Sequence, residues 1–162
     1  MQNQSPMSVP HPYQLKSATA EDQWSIRRLV LFAGLDPTQI RWSQFWVIVK
    51  EEKVIGCGQL RPFADAQELG SLVIARGYRG QGLGSALVQH LIQAASKPLF
   101  LECLGQKRVQ FYTQLGFQIT TLADIPLSLR RKFRLTYGLA SVLPMPLVVM
   151  KYEGDRPSSI TT

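Results

Sequence analysis

The stretch that decides the fold is Glu68-Leu69-Gly70-Ser71-Leu72-Val73-Ile74-Ala75, followed by Arg76-Gly77-Tyr78-Arg79-Gly80-Gln81-Gly82-Leu83-Gly84-Ser85. Its first half, from Leu69 to Ala75, is rich in branched apolar residues, which is typical of a strand. After Gly82, Leu83, Leu87 and Leu91 recur at helical spacing. The glycines between the two halves permit a tight turn, and the free amides of the new helix attract a phosphate. The stretch predicts a strand, an anion-binding loop and a helix, in that order.

The glycine loop has three other interpretations. A dinucleotide-binding fingerprint needs Gly-x-Gly-x-x-Gly in an early strand-helix-strand unit, whereas the spacing here is Gly80-x-Gly82-x-Gly84, late in the chain. A nucleoside-triphosphate loop needs Gly-Lys followed by Ser or Thr, and this sequence lacks it. A glycine-rich turn that binds nothing is the third alternative, and the loop by itself leaves it open.

Upstream of the loop, the pattern predicts a strand at Tyr13 to Ala18 and a helix that Thr19 caps and that ends at about Gly34. The helical face is drawn from Trp24, Leu31 and Phe32. Two runs, Phe45 to Val49 and Val54 to Leu60, are separated by Lys50-Glu51-Glu52-Lys53, which is a hairpin signal. The middle of the chain is therefore predicted to be an antiparallel meander.

Downstream, Leu99 to Leu104 is a predicted strand, parallel to Leu69 to Ala75 because a helix separates the two. Lys107 to Leu115 is a predicted short helix, and Gly116 suits its left-handed C-terminal cap. The last predicted strands are Phe117 to Leu122 and Leu147 to Tyr152.

A long segment, Ala123 to Pro146, holds the basic cluster of Arg130, Arg131, Lys132 and Arg134. A connection this long is usually functional or partly structured. The formal net charge of +7 suits nucleic acid, an anionic membrane surface or an anionic cofactor and substrate. A nucleic-acid-binding domain would use this cluster, but the basic residues are confined to one stretch and the glycine loop would stay unexplained. No nucleic-acid partner is expected.

The loop and a second motif together resemble a known family. Arg79-Gly80-Gln81-Gly82-Leu83-Gly84 is similar to the coenzyme-binding signature of the GNAT superfamily of N-acetyltransferases, and Phe111-Tyr112-Thr113-Gln114-Leu115-Gly116-Phe117 resembles its second motif. The resemblance covers about Tyr13 to Phe117 in element order, and the final strand also fits.

The resemblance implies an α/β (α+β) fold in which a mixed, mostly antiparallel twisted sheet of about six to seven strands is flanked by helices. The sheet is expected to splay between its fourth and fifth strands, where acetyl-CoA, a co-substrate, lies in the cleft. The pantetheine arm would pair with the backbone of Leu72, Val73 and Ile74. The pyrophosphate would sit on the amides of Arg79, Gly80, Gln81, Gly82, Leu83, Gly84 and Ser85.

The implied activity is direct transfer of an acetyl group from acetyl-CoA to a primary amine of a small molecule, an amino acid or a protein, without a metal. Glu68 matches the carboxylate that withdraws the amine proton in many family members, with Asp65 a weaker substitute and an exposed strand-end carboxylate as the alternative. Tyr112 matches the tyrosine beside the coenzyme sulfur, where a hydrogen bond to the developing thiolate is expected. A merely packed aromatic is the alternative for Tyr112.

One position departs from the family pattern. Many relatives carry Asn shortly before the helix of the second motif, and Gly105 stands there in this chain. The departure removes one expected contact with the pantetheine.

The basic cluster is a candidate binding site for an anionic acceptor, and a solvated basic helix face is the alternative. A non-catalytic acyl-CoA-binding or sensing module is the alternative function.

The remaining residues set general expectations. Residues 1–12 are a predicted flexible leader, 13–153 a single acetyltransferase domain and 154–162 a flexible tail. Cys57 and Cys103 lie in apolar runs and are expected to be buried, in a reducing, cytoplasmic setting, with a redox pair as the alternative. His11 and His90 have no metal-ligand spacing. No membrane segment is expected, and a homodimer is compatible with the family.

Overall fold

The computed structural model describes residues 9–140 and 147–154, so most of the predicted leader and tail lies outside the described residues. The helices and strands are β1 (Gln14–Ser17), α1 (Gln23–Phe32), β2 (Phe45–Lys50), β3 (Lys53–Pro62), β4 (Gln67–Ile74), α2 (Leu83–Ala94), β5 (Leu99–Leu104), α3 (Gln106–Gln114), β6 (Phe117–Ile119), α4 (Leu127–Ala140) and β7 (Leu147–Tyr152). No helix in the described part of the chain is long and apolar enough to cross a membrane.

The strands form one sheet in the order β1-β2-β3-β4-β5-β7-β6. The pairs β1 with β2, β2 with β3, β5 with β7 and β6 with β7 are antiparallel. The parallel ladder between β4 and β5 consists of two residue pairs, Gln67 with Leu99 and Glu68 with Phe100. The predicted mixed, mostly antiparallel sheet is therefore confirmed, including the parallel relation that the intervening helix α2 requires.

The chain forms two compact units. The first contains the described residues up to Arg61 together with Leu69–Ala95, and the second contains Pro62–Glu68 together with the described residues from Ser96 onwards. The boundary falls inside β4, immediately after Glu68. A single domain over 13–153 stays a prediction.

The core of the first unit joins α1 to the strands β2, β3 and β4. Ile26 and Val30, four residues apart on α1, are fully buried. The predicted helical face is wrong, since Trp24 and Phe32 are 73% and 80% exposed. Periodicity misjudged the face because two apolar stripes share this helix, and only contact with the sheet selects between them.

The core of the second unit joins α4 to one face of the strands β5 and β7. It consists of Ala66, Phe100, Ile125, Leu129, Phe133 and Val149. Leu129 and Phe133 recur at helical spacing, and the N–H of Arg130 donates to the carbonyl of Pro126 to close the first turn. The long segment predicted as partly structured thus contains a helix, which the sequence analysis did not identify. Its last residues, 141–146, lie outside the described residues.

Two predicted helix-terminus signals are confirmed, one at the start of a helix and one at the end of another. Thr19 precedes a 3₁₀ turn that leads into α1, and its N–H donates to the carboxylate of Asp22 at 2.9 Å. Gly116 follows α3 with φ +91°, the left-handed conformation that the cap prediction requires. Both signals depend on neighbours a few residues away, which explains why sequence sufficed.

The two cysteines are buried free thiols, as predicted. Burial raises the pKa of the Cys57 thiol from its ordinary 9.0 to about 12. Burial likewise raises the pKa of the Cys103 thiol to about 11, opposed by the positive charge of Arg108. Both thiols therefore stay neutral at physiological pH and are poor nucleophiles. The reducing compartment stays a prediction.

The buried thiols predict a loss of stability at alkaline pH. The unfolded state releases the thiol protons at a lower pH than the folded state does, so the stabilisation is complete below the unfolded pKa and is lost as pH rises through the folded value. Between the unfolded and the folded pKa, each thiol lowers the free energy of unfolding by up to about 1.4 kcal/mol per pH unit. Urea unfolding of the wild type and of Cys57→Ala from neutral pH to about pH 12 checks this. An unchanged slope in the variant would contradict it.

Candidate active site

The glycine loop leaves β4 and enters α2 through two residues in the left-handed conformation. Gly80 and Gly82 both have φ +76°, and Gly82 is the N-cap of α2. A Cβ atom added at either glycine would meet no atom within 4 Å, so the space beside the loop is open. The amide of Ala86 donates to the carbonyl of Gly82, which begins the helical ladder. The amides that precede Ala86 in the helix have no helical acceptor and are available to an anion.

The side chains of the loop are partly committed to the protein itself. Arg79 donates from Nε to the carbonyl of Ile74 at 2.8 Å, which ties the loop to the end of β4. Gln81 accepts a hydrogen bond from the Tyr13 hydroxyl at 2.6 Å. Leu83 is buried, so its side chain belongs to the core. The predicted coenzyme residues of the loop therefore offer mainly backbone groups, together with the remaining donors of Arg79.

The interior of β4 holds a strained residue that the sequence pattern did not predict. Ser71 has φ +49°, an uncommon conformation for a residue with a side chain. Its hydroxyl accepts a hydrogen bond from Arg61 at 3.2 Å and donates one to Gln59 at 3.4 Å. Gln59 is fully buried and donates to the carbonyl of Gln39 at 3.0 Å. The signal was Gly70-Ser71 inside an apolar strand, because glycine there often marks a bulge.

A pocket of about 480 Å³ lies beside the end of β4 in the first unit. Its walls are Leu29, Phe32 and Ala33 of α1, Val73, Ile74 and Ala75, and the arginines Arg76 and Arg79. Three of the predicted coenzyme residues, Val73, Ile74 and Arg79, line it together. An apolar pocket that carries guanidinium groups suits a ligand with an apolar body and an anionic group.

Glu68, the predicted base, lies in the second unit and is 3% exposed. Both of its carboxylate oxygens accept hydrogen bonds from the Lys132 ammonium of α4. Glu68 pairs with Phe100 in the parallel ladder, so its side chain projects from the face that α4 covers. The alternative of an exposed strand-end carboxylate is wrong, because the Glu68 carboxylate is buried and ion-paired with Lys132. The role of Lys132 was missed because the two residues are 64 positions apart.

A second polar contact fixes α4 one turn earlier. The Ser128 hydroxyl donates to the carboxylate of Asp65, which is exposed in the loop before β4. Ser128 and Lys132 are four residues apart and share a face of α4. Asp65, the weaker substitute for the base, is thus exposed and engaged by α4, whereas Glu68 is buried.

The basic cluster does not act as one patch. Arg130 donates to the carbonyls of Ile125 and Ala123, which holds it against the start of α4. Lys132 is paired with Glu68. Arg131 and Arg134 are exposed. Two members of the cluster therefore serve the fold, and two are accessible to a ligand.

Tyr112 of α3 is buried beside Cys103, on the side of β5 opposite to Glu68. Burial raises the pKa of the Tyr112 hydroxyl, and the nearby Cys103 adds to the effect against the charge of Arg108. Its ring packs edge-on against Phe111 and Phe117, with centroids 5.0 and 5.7 Å away. Cys103 and Phe100 alternate along β5, so they face opposite sides of the sheet. The structure thus places the two predicted catalytic residues in the same unit but on opposite faces.

Gly105, the departure from the family pattern, has a local backbone reason. It is the N-cap of α3 with φ +84° and ψ +148°, a region open almost only to glycine. Its carbonyl accepts hydrogen bonds from the amides of Arg108 and Val109. A side chain at this position would require a different entry into α3.

The histidines show no sign of a metal centre. His90 packs its ring against Trp46 with centroids 4.1 Å apart, and burial lowers its pKa. His11 is exposed. Within residues 9–140 and 147–154, no three His, Cys, Asp or Glu side chains lie close enough together to hold a metal ion.

Comparison with known proteins agrees with this geometry. Residues 41–119 match the family described as Acetyltransferase (GNAT) domain. The amino-acid acetyltransferase of Pasteurella multocida (strain Pm70) is 23% identical, over 74% of this chain and 30% of that protein. This chain thus spans about a third of the length of that relative.

Solved structures share the fold. N-acetylglutamate synthase from Neisseria gonorrhoeae, complexed with coenzyme A and N-acetyl-glutamate, superposes with a TM-score of 0.68 at 20% identity, covering 88% of this chain and 35% of that one. Rv2747 from Mycobacterium tuberculosis, in complex with CoA and NLQ, superposes with a TM-score of 0.66 at 20% identity. The match covers 85% of this chain and 97% of that one. Arabidopsis thaliana Naa50, in complex with the bisubstrate analogue CoA-Ac-MVNAL, superposes with a TM-score of 0.63 at 15% identity. The match covers 88% of this chain and 99% of that one.

The family match includes β4, the glycine loop, α2 and the second motif in α3. The solved structures extend the likeness in fold to most of the chain. Residues 41–119, which hold the glycine loop and the second motif, thus match the GNAT family of acetyltransferases.

Proposed function

We propose that the protein is an N-acetyltransferase that moves an acetyl group from acetyl-CoA directly to a primary amine. One observation carries the proposal: Gly80 and Gly82, both left-handed, leave open space at the N-terminus of α2, next to a pocket lined by Val73, Ile74 and Arg79. Backbone amides at a helix start bind a pyrophosphate, and the guanidinium groups add charge. Solved relatives of the same fold hold coenzyme A.

The proposed chemistry assigns separate tasks to Glu68 and Tyr112. The amine must lose a proton to attack the thioester, and Glu68 accepts it directly or through water. Tyr112, whose pKa is raised by burial, stays protonated and donates a hydrogen bond to the departing thiolate.

We propose an amino acid or peptide amine as the acceptor. The relatives named above include an amino-acid acetyltransferase and a protein complexed with N-acetyl-glutamate. The exposed Arg131 and Arg134 supply positive charge for an acceptor that carries a carboxylate. A cytoplasmic location and a homodimer stay predictions.

The test of the proposed function is thiol release from acetyl-CoA across a panel of amino acids, peptides and small amines. The expected result is turnover with at least one member of the panel. Coenzyme binding without turnover on any acceptor would favour the alternative, a non-catalytic acyl-CoA sensor. Absence of coenzyme binding would contradict both.

Gly82→Ala tests the loop. A residue other than glycine in the left-handed region costs about 1–2 kcal/mol, and its Cβ enters the open space assigned to the pyrophosphate. We expect coenzyme A affinity to fall by at least about tenfold in isothermal titration calorimetry. Gly77→Ala is the control, since Gly77 has neither a positive φ nor an atom near its Cβ position. Equal affinity in both variants would contradict the assignment of the loop.

Tyr112→Phe tests the thiolate partner. Removing the hydroxyl keeps the ring packed on Phe117 but takes away the proposed donor. We expect kcat to fall by about 100-fold with little change in coenzyme affinity. Tyr152→Phe, which alters a second ring packed on Phe117, controls for packing. A similar kcat in the two variants would show that Tyr112 is only a packed aromatic.

Glu68→Gln tests the base by comparing two acceptors. A lysine-like amine is nearly all protonated at neutral pH, whereas an α-amine is not, so the former depends more on a base. We expect kcat/KM to fall by about 100-fold for the lysine-like amine and by less for the α-amine. Asp65→Asn is the control, because it weakens the other polar contact of α4. An equal loss on both amines would mean that Glu68 acts only through the fold.

A further inference from the structure

The Lys132 side chain places a primary amine against the residue proposed as the general base. Its Nζ donates to both carboxylate oxygens of Glu68. A base must stand within hydrogen-bond reach of the proton that it abstracts, and Nζ meets this requirement. Resting on the proposed function, we propose that Lys132 is itself an acceptor, so that the protein acetylates its own Lys132 from acetyl-CoA.

The position of Lys132 is fixed by the packing of α4. Phe133, the next residue, and Leu129, one turn earlier, are fully buried against Phe100. Ser128, also one turn earlier, is hydrogen-bonded to Asp65. The helix therefore cannot rotate without breaking both apolar and polar contacts. The amine is presented to Glu68 by a rigid element, and orientation of this kind strongly accelerates reactions within one molecule.

Lys132 is also accessible enough to react. Its side chain is 21% exposed, whereas that of Glu68 is 4% exposed. Acetylation of an external amine would need the same arrangement. The carboxylate that accepts the proton is shielded from water, and the amine can be reached by the acetyl donor. Its Nζ lies 5.7 Å from the centroid of the Phe133 ring.

The reaction balances with the co-substrate already proposed. The Lys132 ammonium gives one proton to the Glu68 carboxylate, and the neutral amine attacks the acetyl carbonyl of acetyl-CoA. A carbon–nitrogen bond forms, the carbon–sulfur bond breaks, and the coenzyme leaves as the thiolate. The second proton of the reacting nitrogen is lost as the tetrahedral intermediate collapses to the amide, and the thiolate gains a proton to become the free thiol. No oxidant, reductant or metal takes part.

Two other lysines of the second unit provide internal comparisons. Lys151 forms an ion pair with Glu153 at 2.6 Å, and its side chain is 35% exposed. Lys97 donates to the carbonyls of Phe63 and Ala64. Non-enzymatic acetylation favours accessible amines and would label Lys151 at least as fast as Lys132. Selective labelling of Lys132 requires the contact with Glu68.

The experiment incubates the purified full chain with acetyl-CoA and no added amine, and follows each lysine by peptide mass spectrometry over time. We expect one acetyl group on Lys132 at a rate independent of protein concentration, with Lys151 labelled slowly. Glu68→Gln should reduce the Lys132 rate by about 100-fold or more while Lys151 is labelled as before. Since that variant leaves Lys132 with a neutral partner, Glu68→Asp, which keeps the charge but shortens the side chain, is measured beside it.

Labelling of Lys151 and Lys132 at equal rates, or an unchanged Lys132 rate in Glu68→Gln, would overturn the inference. Turnover of external amines with an unmodified Lys132 would also overturn it, while leaving the proposed function intact. Failure to bind coenzyme A would refute the proposed function and this inference together. Circular dichroism of each variant confirms that the fold is retained.

Discussion

A carboxylate buried at the start of β4 requires a cation, and Lys132 supplies it. Removing two charges from water is costly, so such a pair persists only where geometry and hydrogen bonds compensate. Both oxygens of Glu68 are engaged by the Lys132 ammonium. Loss of one partner would leave a buried charge uncompensated, at a cost of about 3–5 kcal/mol. This constraint holds α4 at the point where β4 and β5 make their two parallel pairs.

The same contact links stability with chemistry. The ion pair holds the carboxylate proposed as the general base in one orientation, but its oxygens are occupied. Under the proposed function, an acceptor amine would have to replace the ammonium of Lys132, share the carboxylate with it, or be Lys132 itself. In each case α4, the helix that periodicity did not identify, governs access to Glu68. The contact between Lys132 and Glu68 is a stronger reason for the position of α4 than the exposed charges of Arg131 and Arg134.

On the first unit, the strand where a coenzyme is expected contains one residue with a strained backbone, Ser71. Ser71 within β4 and the glycines of the loop adopt positive φ values, and the surrounding hydrogen bonds from Arg61 and Arg79 hold these segments in place. Strained backbone persists when its surroundings over-determine it, and it clusters at ligand sites. A regular strand and turn would present their amides differently. Ser71 directly precedes the residues of β4 that are proposed to pair with pantetheine.

The sequence by itself determined the features that depend on near neighbours. The strand-loop-helix order around Gly80 and Gly82, the cap at Gly116 and the burial of the cysteines follow from residues within a few positions of one another, because turn geometry and periodicity are local. Tertiary structure alone decided which face of α1 is buried, which carboxylate is shielded and which amine meets it. Glu68 and Lys132 are 64 positions apart, and no local pattern encodes an ion pair that forms only when a helix packs on a distant strand.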